Sequence, residues 1–225
     1  MRLRFGFILI ISATVLLQAQ QISLQQIALN NRFEKNMDTF NNGEAKIYYS
    51  DVLGIPYYYP DFIPAKLDGN SEIIPIRYNS FLDAVEVLHN SDVYQLPRDE
   101  TSPEFRFETT NEKLVYIKTD DIYSGYFFEI SEGKNRFLKK VITKFYPAKR
   151  AVNTLIPGDA ARFQMQKPLY FIQTASGVKK LPKNEKEFIA MFPEKKEALL
   201  EFFKKNKIKL NKEEDVVKLG QFLTQ

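Results

Sequence analysis

The chain has 225 residues, 32 Lys+Arg against 28 Asp+Glu, one histidine and no cysteine. The missing cysteine excludes disulfides, thiolate zinc sites, thiol nucleophiles and an acylated N-terminal cysteine, and a lone histidine excludes a histidine-rich metal site. The near-balanced charge hides a division: Gln21 to Gly133 holds 9 basic against 19 acidic residues, whereas Lys134 to Gln225 holds 21 against 9. Either the two halves attract each other within one molecule, or the basic half presents a surface to an anionic partner.

The first twenty residues, MRLRFGFILIISATVLLQAQ, carry two arginines, an uncharged stretch from Phe5 to Leu17 and a short polar end. That is the layout of a secretory signal peptide, and the stretch is shorter than the roughly 20 residues a membrane-spanning helix needs. Leu3 separates Arg2 from Arg4, so no twin-arginine pair forms and the general secretory route is expected. An exported mature chain of about 205 residues is long enough to bury roughly 70% of its unfolded surface without disulfides. Its expected surroundings are the periplasm, or the extracellular side or outer envelope. Residues 21–50 read as a polar N-terminal arm or a short helix around Ile22 to Phe33, with a turn signal at Asn42-Gly43.

The stretch Gly54-Ile-Pro-Tyr-Tyr-Tyr-Pro-Asp-Phe-Ile-Pro64 breaks regular hydrogen bonding at Pro56, Pro60 and Pro64. It reads as an extended lead-in laid across a sheet edge. Strict alternation would then turn some of Tyr57, Tyr58 and Tyr59 toward the core and others toward water. Short β-type runs follow: Phe62 to Leu67, a turn at Asp68-Gly69-Asn70, then Glu72 to Asn79, where Pro75 suggests a sheet edge or bulge. LDAVEVL ends at the turn His89-Asn90-Ser91-Asp92, and VYQL, FRFE and KLVYIK are further strands. A long hairpin is expected from Tyr123 to Pro147, with its tip at Ser131 to Asn135. Phe137, Leu138, Val141, Ile142 and Phe145 also fit a helical spacing, but the β-branched and aromatic content favours strand. Residues 147–166 read mostly as a connection, and PLYFIQT as the last strand.

The C-terminal segment is helical. Asn184 and Glu187 form a capping-box variant, Pro193 suits the first turn of a second helix, and Asn211 with Glu214 repeats the cap. Apolar stripes through Phe188, Ile189 and Phe192, then Leu199, Phe202 and Phe203, then Val216, Leu219 and Leu223 predict three amphipathic helices packed on one another or on one side of the sheet.

Catalytic chemistry is sparse. His89 reads as a solvated turn residue, neither Tyr123-Ser124-Gly125 nor Ala175-Ser176-Gly177 completes a nucleophile elbow, and no phosphate-cradling loop is present among nine glycines. Asp68, Asn70 and Glu72 start like a calcium loop, but Ile73 stands where the required glycine would be. A carboxylate-pair hydrolase needs only two acids a short distance apart; Glu112, Asp120 and Asp121 are its candidates. No metal or cofactor is expected. The candidate binding residues are Tyr57, Tyr58 and Tyr59, which stack or anchor a partner if exposed, and the basic run Lys204, Lys205, Lys207, Lys209 and Lys212, which suits a helix C-terminus and equally an anionic headgroup or acidic partner.

Pro56-Tyr57, Phe62, Arg77-Tyr78-Asn79, Asp83, Glu86-Val87, Gly133-Lys134, Tyr170-Phe171-Ile172 and the Lys-rich tail from Lys186 to Leu223 resemble a group of exported proteins of Gram-negative bacteria with a β-rich body and a helical tail. The resemblance implies export and architecture and carries over no catalytic residue. The expected fold is α+β: a mainly antiparallel sheet (meander, sandwich or partly open barrel) over residues 51–181, followed by a three-helix module over 182–225. The expected function is non-enzymatic binding of an envelope protein or anionic envelope component, with no nucleic acid and no transmembrane span. The alternatives are a small carboxylate hydrolase acting on glycan or peptide and an apolar-ligand carrier.

Overall fold

The computed structural model describes residues 34–35, 38–43, 45–68, 72–150 and 158–224. The signal segment, the helix expected around Ile22 to Phe33 and the tip at Gly69-Asn70 lie outside them. The strands are β1 (Glu34–Lys35), β2 (Thr39–Asn41), β3 (Lys46–Tyr48), β4 (Ile63–Leu67), β5 (Ile73–Asn79), β6 (Ala84–His89), β7 (Asp92–Gln95) and β8 (Phe105–Phe107). They continue as β9 (Lys113–Ile117), β10 (Gly125–Ser131), β11 (Arg136–Lys140), β12 (Thr143–Tyr146), β13 (Arg162–Met165), β14 (Leu169–Thr174) and β15 (Gly177–Lys180). Eleven of them form one open sheet in the order β1-β7-β6-β5-β4-β8-β9-β10-β11-β14-β15, and every neighbouring pair is antiparallel.

The sheet is strongly curled. Tyr78 on β5 and Tyr126 on β10 have three strands between them, which at about 4.8 Å per strand would put them roughly 19 Å apart in a flat sheet. Their rings lie 6.1 Å apart. The hollow of the curl is filled by Tyr78, Phe105, Phe107, Tyr126 and Phe128, all buried. Packed rings therefore occupy the space where a barrel-like carrier would hold its ligand.

Several expectations need correction. Pro75 lies in a central strand, opposite Pro64 of β4. The Glu108 N–H donates to the Pro64 carbonyl, so Pro64 turns its polar groups away from β5, and the β5–β6 ladder begins one residue after Pro75. Each proline thus stands one residue outside the ladder it faces. The long hairpin strand breaks after Lys140, and Thr143 to Tyr146 leave to pair with Arg162 to Met165, so the supposed connection contains a strand. β15, and not β14, ends the sheet. Part of the polar arm is a hairpin, β2–β3, whose Gly43 takes a positive φ of 93° that favours glycine. It is held by aromatic packing: Phe40 sits 4.9 Å from both Phe81 and Phe145.

The three helices are α1 (Glu185–Ala190), α2 (Lys196–Asn206) and α3 (Glu213–Thr224). Asn184 caps α1 by accepting the Glu187 N–H at 2.9 Å. Pro193 opens a 3-10 turn that runs into α2. The third cap differs from expectation. α3 starts at Glu213 with the Val216 N–H on the Lys212 carbonyl, and Asp215 folds back to accept the Lys209 N–H at 3.1 Å. Phe188, Leu199, Phe203, Val216 and Leu219 pack against Phe137, Tyr170, Ile172 and Leu181 of the sheet. Each such buried apolar side chain contributes about 2 kcal/mol, so the helices share a core with the sheet. No helix among the described residues is long and apolar enough to cross a membrane.

Candidate functional site

The proline-bounded lead-in docks at the end of β5, where Tyr57 forms a bridge with Asn79 and the Tyr58 N–H donates to the Tyr78 carbonyl. Bends after Tyr57 break the simple alternation. Tyr57 turns to one side, where its hydroxyl donates to Asp38 at 2.9 Å, accepts from Arg77 at 2.8 Å, and its ring carries the Arg77 guanidinium at 3.5 Å. Burial, with the Glu86 charge behind it, pushes the Tyr57 phenol far up. Tyr58 and Tyr59 turn together to the other side, their rings 4.5 Å apart, and both hydroxyls donate to Glu112. All three tyrosines are thus engaged within the molecule.

Behind Tyr57 lies a buried polar set built by strand register. Arg77 is opposite Glu86 and reaches it at 2.7 Å, while Asn79 donates to Glu86 at 3.0 Å and to Tyr49 at 3.2 Å. The Asn79 carbonyl accepts the N–H groups of Phe81 and Leu82, so this buried amide is fully bonded. Burial raises the Glu86 pKa, with Asn79 and Arg77 opposing it. Tyr78, one residue along, points into the hollow of the sheet, and its hydroxyl donates to Asp83 at 2.7 Å. Asp83 takes a positive φ of 54° and also holds buried Lys140 at 2.9 Å. Arg98 approaches its other oxygen at 2.8 Å, off the hydrogen-bonding direction.

The seam between sheet and helices is built round Lys139. Its ammonium, nearly buried, donates to Glu112 at 2.9 Å, to Glu213 at 2.8 Å and to the Tyr58 hydroxyl at 3.2 Å. Desolvation alone would lower the Lys139 pKa, but bonds to Glu213 and Glu112 outweigh it and the net shift is upward. For Glu112 desolvation works upward, and the bonds from Tyr59 and Lys139 bring the net shift down. Tyr170, beside Glu213, is raised to about 12, chiefly by burial. Glu112 and Glu213 lie within about 6 Å of each other, close to the spacing of a glycosidase pair. A general acid must keep a proton near neutral pH, whereas Glu112 is held ionised, and an ammonium stands between the two acids. The arrangement is that of a bridge. Of the other acids, Asp121 shapes its own loop by accepting the Tyr123 N–H and the Thr119 hydroxyl. His89 is exposed in its turn beside Asn90.

The basic run is dispersed. Lys204 and Lys205 end α2, Lys207 takes the left-handed conformation after it, and Lys212 precedes α3; all are exposed. Lys209 lines a groove of about 560 Å³ between the base of the β14–β15 hairpin and the loop from α2 to α3. There Lys183 joins it, over a lining that includes Leu181, Phe203 and Leu210; Lys180 borders the groove too, but its ammonium lies 5.6 Å from the centre of the Tyr123 ring on the other face of the sheet. The sequence reading missed Lys180 and Lys183. Their signal is the short basic stretch Val-Lys-Lys-Leu-Pro-Lys, which follows a turn and is less dense in charge than the longer run. Among the described residues no cluster of His, Asp and Glu forms a metal site.

No protein-family profile, no curated protein and no solved structure matches the chain.

Proposed function

We propose that this is an exported, non-enzymatic binding protein whose partner, an envelope protein or anionic envelope component, sits against the seam between the last hairpin and the helices. The observation that carries the reading is the open groove with Lys183 and Lys209 around apolar side chains. Apolar walls with a few placed charges are the usual make-up of a ligand site. The tyrosine triplet and Lys139 serve the fold that holds this groove. Export rests on the N-terminal layout of two arginines, an apolar stretch and a polar end.

Immobilised mature protein incubated with envelope extract tests this. The wild type should retain a component that the Lys183→Glu/Lys209→Glu variant releases. Both side chains are exposed, so the fold should survive the exchange. Retention of nothing by the wild type, or equal retention by both, overturns the proposal. Point variants serve better here than removing residues 182–225, because truncation strips the helices from Phe137, Tyr170 and Ile172.

A further inference from the structure

We propose, building on the binding-protein reading, that β15 is a docking edge to which an acidic, extended segment of a partner protein adds as a further strand. β15 is the last strand of the sheet, and among the described residues nothing pairs with its outer side. The Leu181 N–H donates to the Tyr170 carbonyl, which makes Tyr170 and Leu181 a hydrogen-bonded pair. Such pairs alternate along an antiparallel ladder. From the register of β14 and β15, Lys179 and Gly177 therefore face β14, while Val178 and Lys180 direct their N–H and C=O groups outward. Those four groups are a template for one more strand.

The surroundings select what can add. Successive strand residues face opposite sides of the sheet, so Lys179 and Lys180 place one ammonium on each face of the edge. At the base of the hairpin the groove described above supplies Lys183 and Lys209. Near the tip a second groove, of about 700 Å³, runs between the two hairpin tips and the helices. Its lining includes Lys134, Lys179 and Lys195, with Met191, Phe192 and Leu223 as its apolar part. The carboxylates in the two linings are Glu185 and Glu194. A strand crossing between the grooves meets five lysines on the helix side against two acids, with Lys180 over Tyr123 on the other face, backbone partners in the middle and an apolar recess at each end. An acidic peptide with apolar residues toward its ends satisfies all three features. A polysaccharide or nucleic acid would use the charge and leave the backbone groups unused. The rival account is that lysines on an edge strand only guard it against pairing, in which case no peptide binds.

Random twelve-residue peptides displayed on phage and panned against the mature protein are the probe, followed by affinities for synthetic copies of the enriched sequences. Enrichment should favour net negative charge. Val178→Pro removes an N–H that points away from β14, so the ladder stays intact while an added strand is blocked; affinity should fall at least tenfold. Lys180→Pro repeats the test on the second outward N–H, and circular dichroism verifies both folds. Bound peptide should also slow hydrogen exchange at the Val178 and Lys180 amides. No acidic enrichment, or unchanged affinity in both folded proline variants, overturns strand addition. So does heparin binding that Lys179→Glu weakens and Val178→Pro leaves alone, which marks a site for any polyanion. If envelope material still depends on Lys183 and Lys209 after such a result, the edge proposal falls and the binding reading stands. If neither peptide nor envelope material is held, both fall.

Discussion

Replacing Lys139 with methionine should cost the folded state about 3–4 kcal/mol at pH 7, the range for removing one member of a buried ion pair. The side chain is 5% exposed and serves two carboxylates of different standing, Glu112 at 22% and Glu213 at 45% exposure. Methionine keeps the volume and an unbranched apolar stem, so the loss is electrostatic. Glu213 reaches water and should release its share for less than about 1 kcal/mol. Glu112 cannot: it keeps two tyrosine donors but loses the charge that holds it ionised, and it carries most of the loss. Urea denaturation followed by circular dichroism gives the test. With an m-value of about 2–3 kcal/mol/M for a chain of this size, the midpoint should drop by at least about 1 M. Glu213→Gln should scarcely move it. The double variant Lys139→Met/Glu112→Gln should recover at least about 1 kcal/mol over Lys139→Met alone, because the orphaned charge is gone. A loss under about 1 kcal/mol for Lys139→Met, or a double variant no better than the single, would show that the bridge does not hold the seam.

Three further outcomes follow from the same packing. A Cβ on Gly125 would lie 1.7 Å from Asp83 Oδ2, at a φ of +146°, so Gly125→Ala should displace the carboxylate that holds Lys140 and cost more than about 3 kcal/mol; a thermal melt within about 5 °C of wild type would contradict this. Asn79→Leu removes the two N–H donors that serve Glu86 and Tyr49 and the single oxygen that accepts from Phe81 and Leu82, and should cost about 3 kcal/mol or more by urea titration. Acid should weaken the seam with a defined sign: the folded-state pKa of Glu112 is depressed, so its contribution is complete above the unfolded value of about 4.3 and is lost as pH falls through the lower folded one. Stability measured from pH 6 to pH 3 should therefore fall less steeply in Glu112→Gln than in wild type, and parallel curves would refute the assignment.

The strands were legible where side-chain pattern and turn chemistry coincide. His89-Asn90-Ser91-Asp92 turns with Asn90 and Ser91 at positive φ, and Asn184 caps its helix as its spacing with Glu187 implies. The misses share a cause: each depended on a partner distant in the chain. Pro75 reads as an edge residue until Pro64 is set opposite it. Thr143 to Tyr146 look continuous with β11 until Arg162 to Met165 offer a second pairing. Tyr58 and Tyr59 should alternate in an extended chain, yet Glu112, more than fifty positions away, gathers both hydroxyls. The lysine run was visible as charge, but which of its members lines a groove depends on the hairpin that brings Lys183 to Lys209.

The division of charge along the sequence acquires a direction in the fold. Among the described residues, where the acidic half meets the basic half in buried or half-buried ion pairs, it does so through residues of one strand: Arg136 with Glu129, Lys139 with Glu112, and Lys140 with Asp83. Alternation sends Lys139 to the helix side and Arg136 and Lys140 to the opposite face, so a single strand ties both faces of the sheet to the acidic half. Few of the basic half's charges are used in this way. Lys204, Lys205, Lys207, Lys209 and Lys212 stand exposed at the helical end with Lys179, Lys180 and Lys183. Exposed charges of one sign set beside concave surface attract an opposite charge most strongly at low salt. Attraction to this end should therefore weaken as salt rises, whereas the Lys139 bridge, shielded from ions by burial, should hold the groove's geometry unchanged.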